Sequence, residues 1–245
     1  MNRGREWCAD RLSRAAARAA PAESGAALAH RRRVVASASV AGAGLLGASL
    51  AAEPDSPRFY LLTLGVAGTW LVGGLESGPL HLGRVEGGAG GQGRGPVIAP
   101  VATGVVAFGA FVAAALAIRR FRFLDFLDEA LTSVLRYATR GPDPLVLATA
   151  LANGVGEEVF FRGAVYDAIG RQRAVPVSTA VYVAATAATR NPALVLASAV
   201  MGTLFAVQRR IYGGIQAPML THLTWSALML RHLPKALRCL PKAGR

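Results

Sequence analysis

The sequence predicts an all-α, polytopic membrane protein of about six to eight transmembrane helices, with its polar site buried between the C-terminal helices. Three observations carry this class. Hydrophobic residues make up 53% of the 245-residue chain and charged residues only 17%, and the mean hydropathy is +0.38, as suits a chain that meets lipid. The apolar residues gather into windows close to the ~20 residues that a spanning helix needs. Charges collect between the windows, except for a group in the otherwise apolar sequence into which the window that begins at Pro144 runs on.

Taken in order, residues 1–33 form a basic N-terminal tail with eight arginines. Within it RLSRAAARAA reads equally as a short interfacial helix or a disordered arm. This stretch is no ordinary signal peptide, and the window behind it is expected to remain as an anchor. Residues 34–118 hold the N-terminal membrane helices, with windows at Val34 to Ala52, Phe59 to Leu75 and Val97 to Ile118 and a Gly-rich loop at 76–96. Such a density of glycine favours a flexible connector. Residues 119–142 alternate apolar and charged positions at helical spacing, which predicts an amphipathic segment at the membrane surface, ended by Gly141 and Pro142. Residues 143–232 form the membrane core, with windows at Pro144 to Gly156, Val175 to Thr189, Pro192 to Val207 and Gly214 to Leu230, and residues 233–245 form a basic C-terminal tail.

Orientation follows from the basic segments. An even number of spans before Arg119 would put the N-terminal tail, the arginines of 119–140 and the C-terminus on the cytoplasmic side, as the positive-inside tendency favours. That arrangement is the expectation. The net charge of +13 has its simplest partner in anionic lipid headgroups. With 25 arginines against two lysines and no aromatic residues interleaved in the basic tail, nucleic acid is not expected as a partner. Cys8 and Cys239 show neither disulfide nor zinc spacing, and the terminal KAGR is no prenylation box.

The exceptional charges lie in GEEVFFRG, residues 156–163. Ionisable groups in the hydrocarbon region cost at least ~2.5 kcal/mol each and must face protein or water. Glu158 and Arg162 stand four apart, the spacing of an intrahelical ion pair. Glu157 is left without a local basic partner, which makes it a candidate general base. Of the four histidines, only His222 falls within an apolar window. Ser226 follows one turn later on the same face, and together they form a polar patch able to donate hydrogen bonds toward the glutamates.

These residues resemble a known family. EEVFFRG is similar to the EExxxR motif of the CAAX-protease and bacteriocin-processing (Abi) family of intramembrane proteases, which includes type II prenyl-protein endopeptidases. The likeness runs roughly from Pro144 to Leu230 and includes the GGIQAP turn ahead of His222. The family's third motif, HxxxN, is matched by His222 to Ser226, with serine in place of asparagine. Its second, FxxxH, is best matched by Thr186 to Arg190, with arginine in place of histidine. A guanidinium stays protonated, so Arg190 cannot share base duty, although it can pair with a glutamate or stabilise an oxyanion.

The resemblance implies an intramembrane endopeptidase of the bacterial cell membrane acting on a membrane-embedded or lipid-modified peptide. Glu157 would activate water, Glu158 and Arg162 would support it, and His222 and Ser226 would hold the oxyanion, with Arg190 in a supporting role. Family members are often called metalloproteases. With His222 alone in an apolar window and Arg190 opposing a divalent ion, neither a metal nor another cofactor is expected. Two other classes fit an intramembrane carboxylate: a catalytically silent relative that binds hydrophobic peptide or lipid, and a proton-coupled transporter.

Overall fold

The computed structural model describes residues 24–83, 97–170 and 172–239. The segment RLSRAAARAA, most of the Gly-rich loop and the last residues of the C-terminal tail lie outside the described residues. Among the described residues the structure is helical throughout. The elements are α1 (Gly25–Leu50), α2 (Pro57–Glu76), α3 (Ile98–Ile118), a 3-10 turn (Arg122–Leu124), α4 (Asp125–Thr139), α5 (Asp143–Glu157), a π-helix (Glu158–Val165), α6 (Tyr166–Ile169), α7 (Ala174–Ala187), α8 (Pro192–Tyr212) and α9 (Gln216–Cys239).

Local sequence sets many of these limits. Ser24 caps α1 by accepting from the Ala27 amide, and Ser56 caps α2 through the Phe59 amide, with Pro57 in the first turn. Asn191 caps α8 through the Leu194 amide, followed by Pro192. At the other end of α8 the chain turns at Gly213, whose φ of 69° suits a residue without a Cβ. Four helices, α1, α2, α3 and α8, are long and apolar enough to cross a membrane. Helix α5 is shorter, but the chain stays helical through the π-helix into α6.

The seven long segments alternate in direction. Gly42 and Ala38 of α1 meet Trp70 and Gly73 of α2, so this pair is antiparallel. Along α3, Gly104 faces Thr221, Phe111 meets Trp225 and Arg119 donates to the Leu237 carbonyl, so α3 runs parallel to α9. Gly141 and Gly156 meet Tyr60 and Ala67, which makes α5 parallel to α2. Among the described residues three helices long and apolar enough to span precede Arg119, against the even number expected from the basic segments. Each of the three windows is independently long enough, and the basic residues divide between the two ends of the bundle: Arg31 bonds to Ser77 at one, Arg119 to Asp128 at the other.

The core against which the site is built is aromatic. Trp70 is fully buried, stacks on Phe160 at 4.7 Å and packs on Phe161 at 5.0 Å. Helix α2 approaches this core closely because Gly156 lacks a side chain: a Cβ there would lie 2.7 Å from the Ala67 carbonyl oxygen. Helix α4 lies across the end of the bundle where α1 stops. Its Tyr137 hydroxyl donates to the Leu50 and Ala52 carbonyls, and the Asn191 amide donates to the Ala130 carbonyl and the Ser133 hydroxyl. Leu131, Val134, Leu135 and Ala138 form its inward stripe and line the central cavity.

Candidate active site

The motif that stood out in the sequence is where the backbone leaves α-helical geometry. From Glu158 to Val165 the chain is π-helical, and every side chain in it is buried. Such segments are rare and concentrate at functional sites. Arg209 of α8 secures the segment by donating through Nε to the Arg162 carbonyl at 2.8 Å. Its Nη2 bonds to Asp167 at 2.9 Å.

Within this segment Glu158 is 0% and Arg162 1% exposed, and their ion pair forms with Nη1 to Oε1 at 3.3 Å. The spacing thus yields the pair that it implied, on a π-helical rather than an α-helical backbone. The guanidinium also lies 4.6 Å from the Tyr182 ring centroid and 5.0 Å from that of Phe205. Glu158 takes a second contact on the same oxygen, from His222 Nδ1 at 2.8 Å. An ionised carboxylate only accepts, so Nδ1 carries the proton and the ring is fixed with Nε2 turned away from Glu158. Phe205 stacks on that ring at 4.7 Å.

Glu157 has partners that its sequence neighbourhood did not announce. Asn153, one turn earlier on α5, donates to Oε1 at 3.0 Å, and the Tyr182 hydroxyl of α7 donates to Oε2 at 2.6 Å. His222 Nε2 stands 4.0 Å from the same Oε2. That separation exceeds a hydrogen bond but brings both atoms to one locus. Glu157, Tyr182, Phe205 and His222 all line a cavity of about 310 Å³ whose walls are largely apolar. Three buried polar atoms of its lining residues, Thr63 Oγ1, Asn153 Oδ1 and Trp225 Nε1, have no protein partner.

The remaining residues singled out in the sequence divide. Ser226 lines the cavity one turn beyond His222; it is half-buried and makes no hydrogen bond with the described residues. Arg190 is not brought to the glutamates. It lies past the end of α7, in a left-handed conformation with φ 55°, and lines a separate cleft with Arg136, Tyr137 and Asn191. The residues of its helix that do face the cavity are Tyr182 and Thr186, with Thr189 beyond them. Tyr182 was legible only as a hydroxyl-bearing ring in mid-window, and Asn153 as an amide four residues ahead of Glu157.

The donor set does not fit a metal centre. Among the described residues no group of three or more His, Cys, Asp or Glu side chains is disposed to hold an ion. Glu158 is already shared between Arg162 and His222, which leaves two candidate ligands where catalytic zinc uses three.

Alternating helices around an apolar cavity, with a buried carboxylate and imidazole facing each other inside it, define a multi-pass membrane protein whose polar chemistry is held within the bundle. Residues 140–228, from the turn before α5 to the middle of α9, match the family model described as type II CAAX prenyl endopeptidase Rce1-like. No curated protein and no solved structure matches the chain.

Proposed function

We propose that the protein is an intramembrane endopeptidase in which Glu157 activates water to hydrolyse a peptide bond of a membrane-embedded or lipid-modified substrate. The observation that carries the reading is the placement of Glu157. Its carboxylate is held from two sides by Asn153 and Tyr182, on the wall of an apolar cavity, 4.0 Å from an imidazole nitrogen. A water or carbonyl oxygen entering between Oε2 and Nε2 touches both.

Charge balance assigns the roles. The proposed roles use an imidazolium at His222, which together with the Arg162 guanidinium balances the two buried carboxylates. In that form Nε2–H is a donor aimed into the cavity. Water attacks the scissile carbonyl carbon and gives its proton to Glu157; Nε2–H of His222 stabilises the oxyanion, with the Ser226 hydroxyl as second donor. Collapse breaks the C–N bond, and Glu157 passes its proton to the leaving amine. Tyr182 and Asn153 position the base, and Glu158 with Arg162 positions the imidazole. The apolar walls suit the lipid chain or hydrophobic side chains of a substrate that arrives from the bilayer, here the bacterial cell membrane.

The test is cleavage of prenylated and membrane-anchored peptides by the purified protein in liposomes, followed by mass spectrometry. Wild type is expected to cut at least one peptide class, and Glu157→Gln to lose that cleavage. If both forms fold and bind peptide yet neither cuts, the enzyme reading is wrong and a peptide-binding role replaces it.

A further inference from the structure

A second cleft, of about 420 Å³, opens at the end of the bundle where α4 ends and α5 begins, against the C-terminal part of α9. Its rim is cationic. Arg231, Lys235 and Arg238 all line it; the spacing of four and then three residues keeps them on one face of α9. All three are exposed, and none makes an ion pair or hydrogen bond with the described residues. One carboxylate opposes them, that of Asp143. Deeper, the same face continues as Ala227, and the floor is Val146, Leu147 and Leu230. Three unpaired cations above an apolar floor, at the polar end of a membrane bundle, complement an amphiphile with an anionic head. A free anion would leave the floor unused, and a neutral lipid would leave the cations unused.

We infer that this cleft is a binding site for an anionic phospholipid, with the phosphate held by Arg231, Lys235 and Arg238 and an acyl chain along Leu147 and Ala227. Anionic headgroups collect in such basic pockets between membrane helices. The position gives the site a role. Ala138, Val146 and Leu230 line both this cleft and the central cavity, so a lipid seated here packs on the outer side of residues that wall the Glu157 cavity. The site does not depend on peptide hydrolysis.

The experiment is native mass spectrometry of the detergent-purified full chain titrated with dioleoylphosphatidylglycerol, dioleoylphosphatidylcholine or inorganic phosphate. Wild type is expected to retain phosphatidylglycerol far more tightly than phosphatidylcholine. Each cation removed weakens that retention by about fivefold, so Arg231→Gln, Lys235→Gln and Arg238→Gln together cost about 100-fold. Arg210→Gln, an exposed change at the opposite end of the bundle, leaves it unaltered. Equal retention of both lipids, or wild-type retention by the folded triple variant, would overturn the site. Inorganic phosphate displacing the lipid at equal concentration would assign the cleft to a small anion and overturn it also. Should the triple variant not fold, Lys235→Gln alone decides, because an unchanged affinity there excludes the phosphate contact.

Discussion

Replacing Arg162 with methionine keeps the unbranched stem of the side chain and removes the guanidinium and its charge from the centre of the bundle. In the folded protein that charge pairs with Glu158 at 3.3 Å, donates to the Gly202 carbonyl at 3.3 Å and packs against the Tyr182 and Phe205 rings. With Glu158 at 0% exposure, the variant leaves a desolvated carboxylate supported by His222 alone. Breaking one side of a buried pair costs about 3–5 kcal/mol, mostly because the remaining charge is stranded. Arg162→Met is therefore expected to lose stability in that range. Glu158→Gln in the same background removes the stranded charge while its amide oxygen still accepts from His222, and should restore about 2 kcal/mol or more. The assay is reversible unfolding in mixed micelles followed by tryptophan fluorescence, for which Trp70, buried against Phe160, is a built-in reporter. The cycle of both singles and the double gives the coupling directly. Additivity within about 0.5 kcal/mol would show that the pair does not balance the site, and the charge argument for His222 would fall with it.

Three further outcomes follow from the same geometry. Tyr182→Phe deletes the 2.6 Å donor to Glu157 and keeps the ring under Arg162; kcat is expected to fall about 10- to 100-fold, the equivalent of one hydrogen bond to a charged group, with KM nearly unchanged. Arg190→His leaves cleavage unaltered because Arg190 faces another cleft, whereas Thr186→His, on the cavity wall, raises it; peptide assays on both compare the two positions. Gly156→Ala pushes a Cβ against the Ala67 carbonyl at 2.7 Å and is expected to destabilise the bundle by about 1–3 kcal/mol in the unfolding assay.

The membrane helices were legible because lipid imposes a simple rule on composition, and the apolar windows from Val34 to Leu230 reappear as helices. The ion pair of Glu158 with Arg162 was legible because their separation along the chain nearly fixes their separation in space. Partners from other helices were not. Tyr182 reaches Glu157 only through the packing of α7, and no local spacing encodes that. The match of Thr186 to Arg190 followed motif spacing alone, but α7 ends at Ala187 and the left-handed turn at Arg190 takes that residue past the cavity. The π-helix was equally hidden, since it is a property of backbone hydrogen bonding that EVFFRGAV does not announce. The expected even number of early spans rested on gathering the basic segments on one side, whereas length and composition alone make all three described early helices long enough to cross.

The claim that Glu157 activates water, and does not itself attack the substrate, is tested most directly by a single turnover in water enriched in ¹⁸O. With the protein in excess over a cleavable membrane peptide, the new C-terminal carboxylate is expected to carry one ¹⁸O atom and Glu157 none. Label found in Glu157 and absent from the product would mean that its carboxylate had attacked the carbonyl, and would contradict the account.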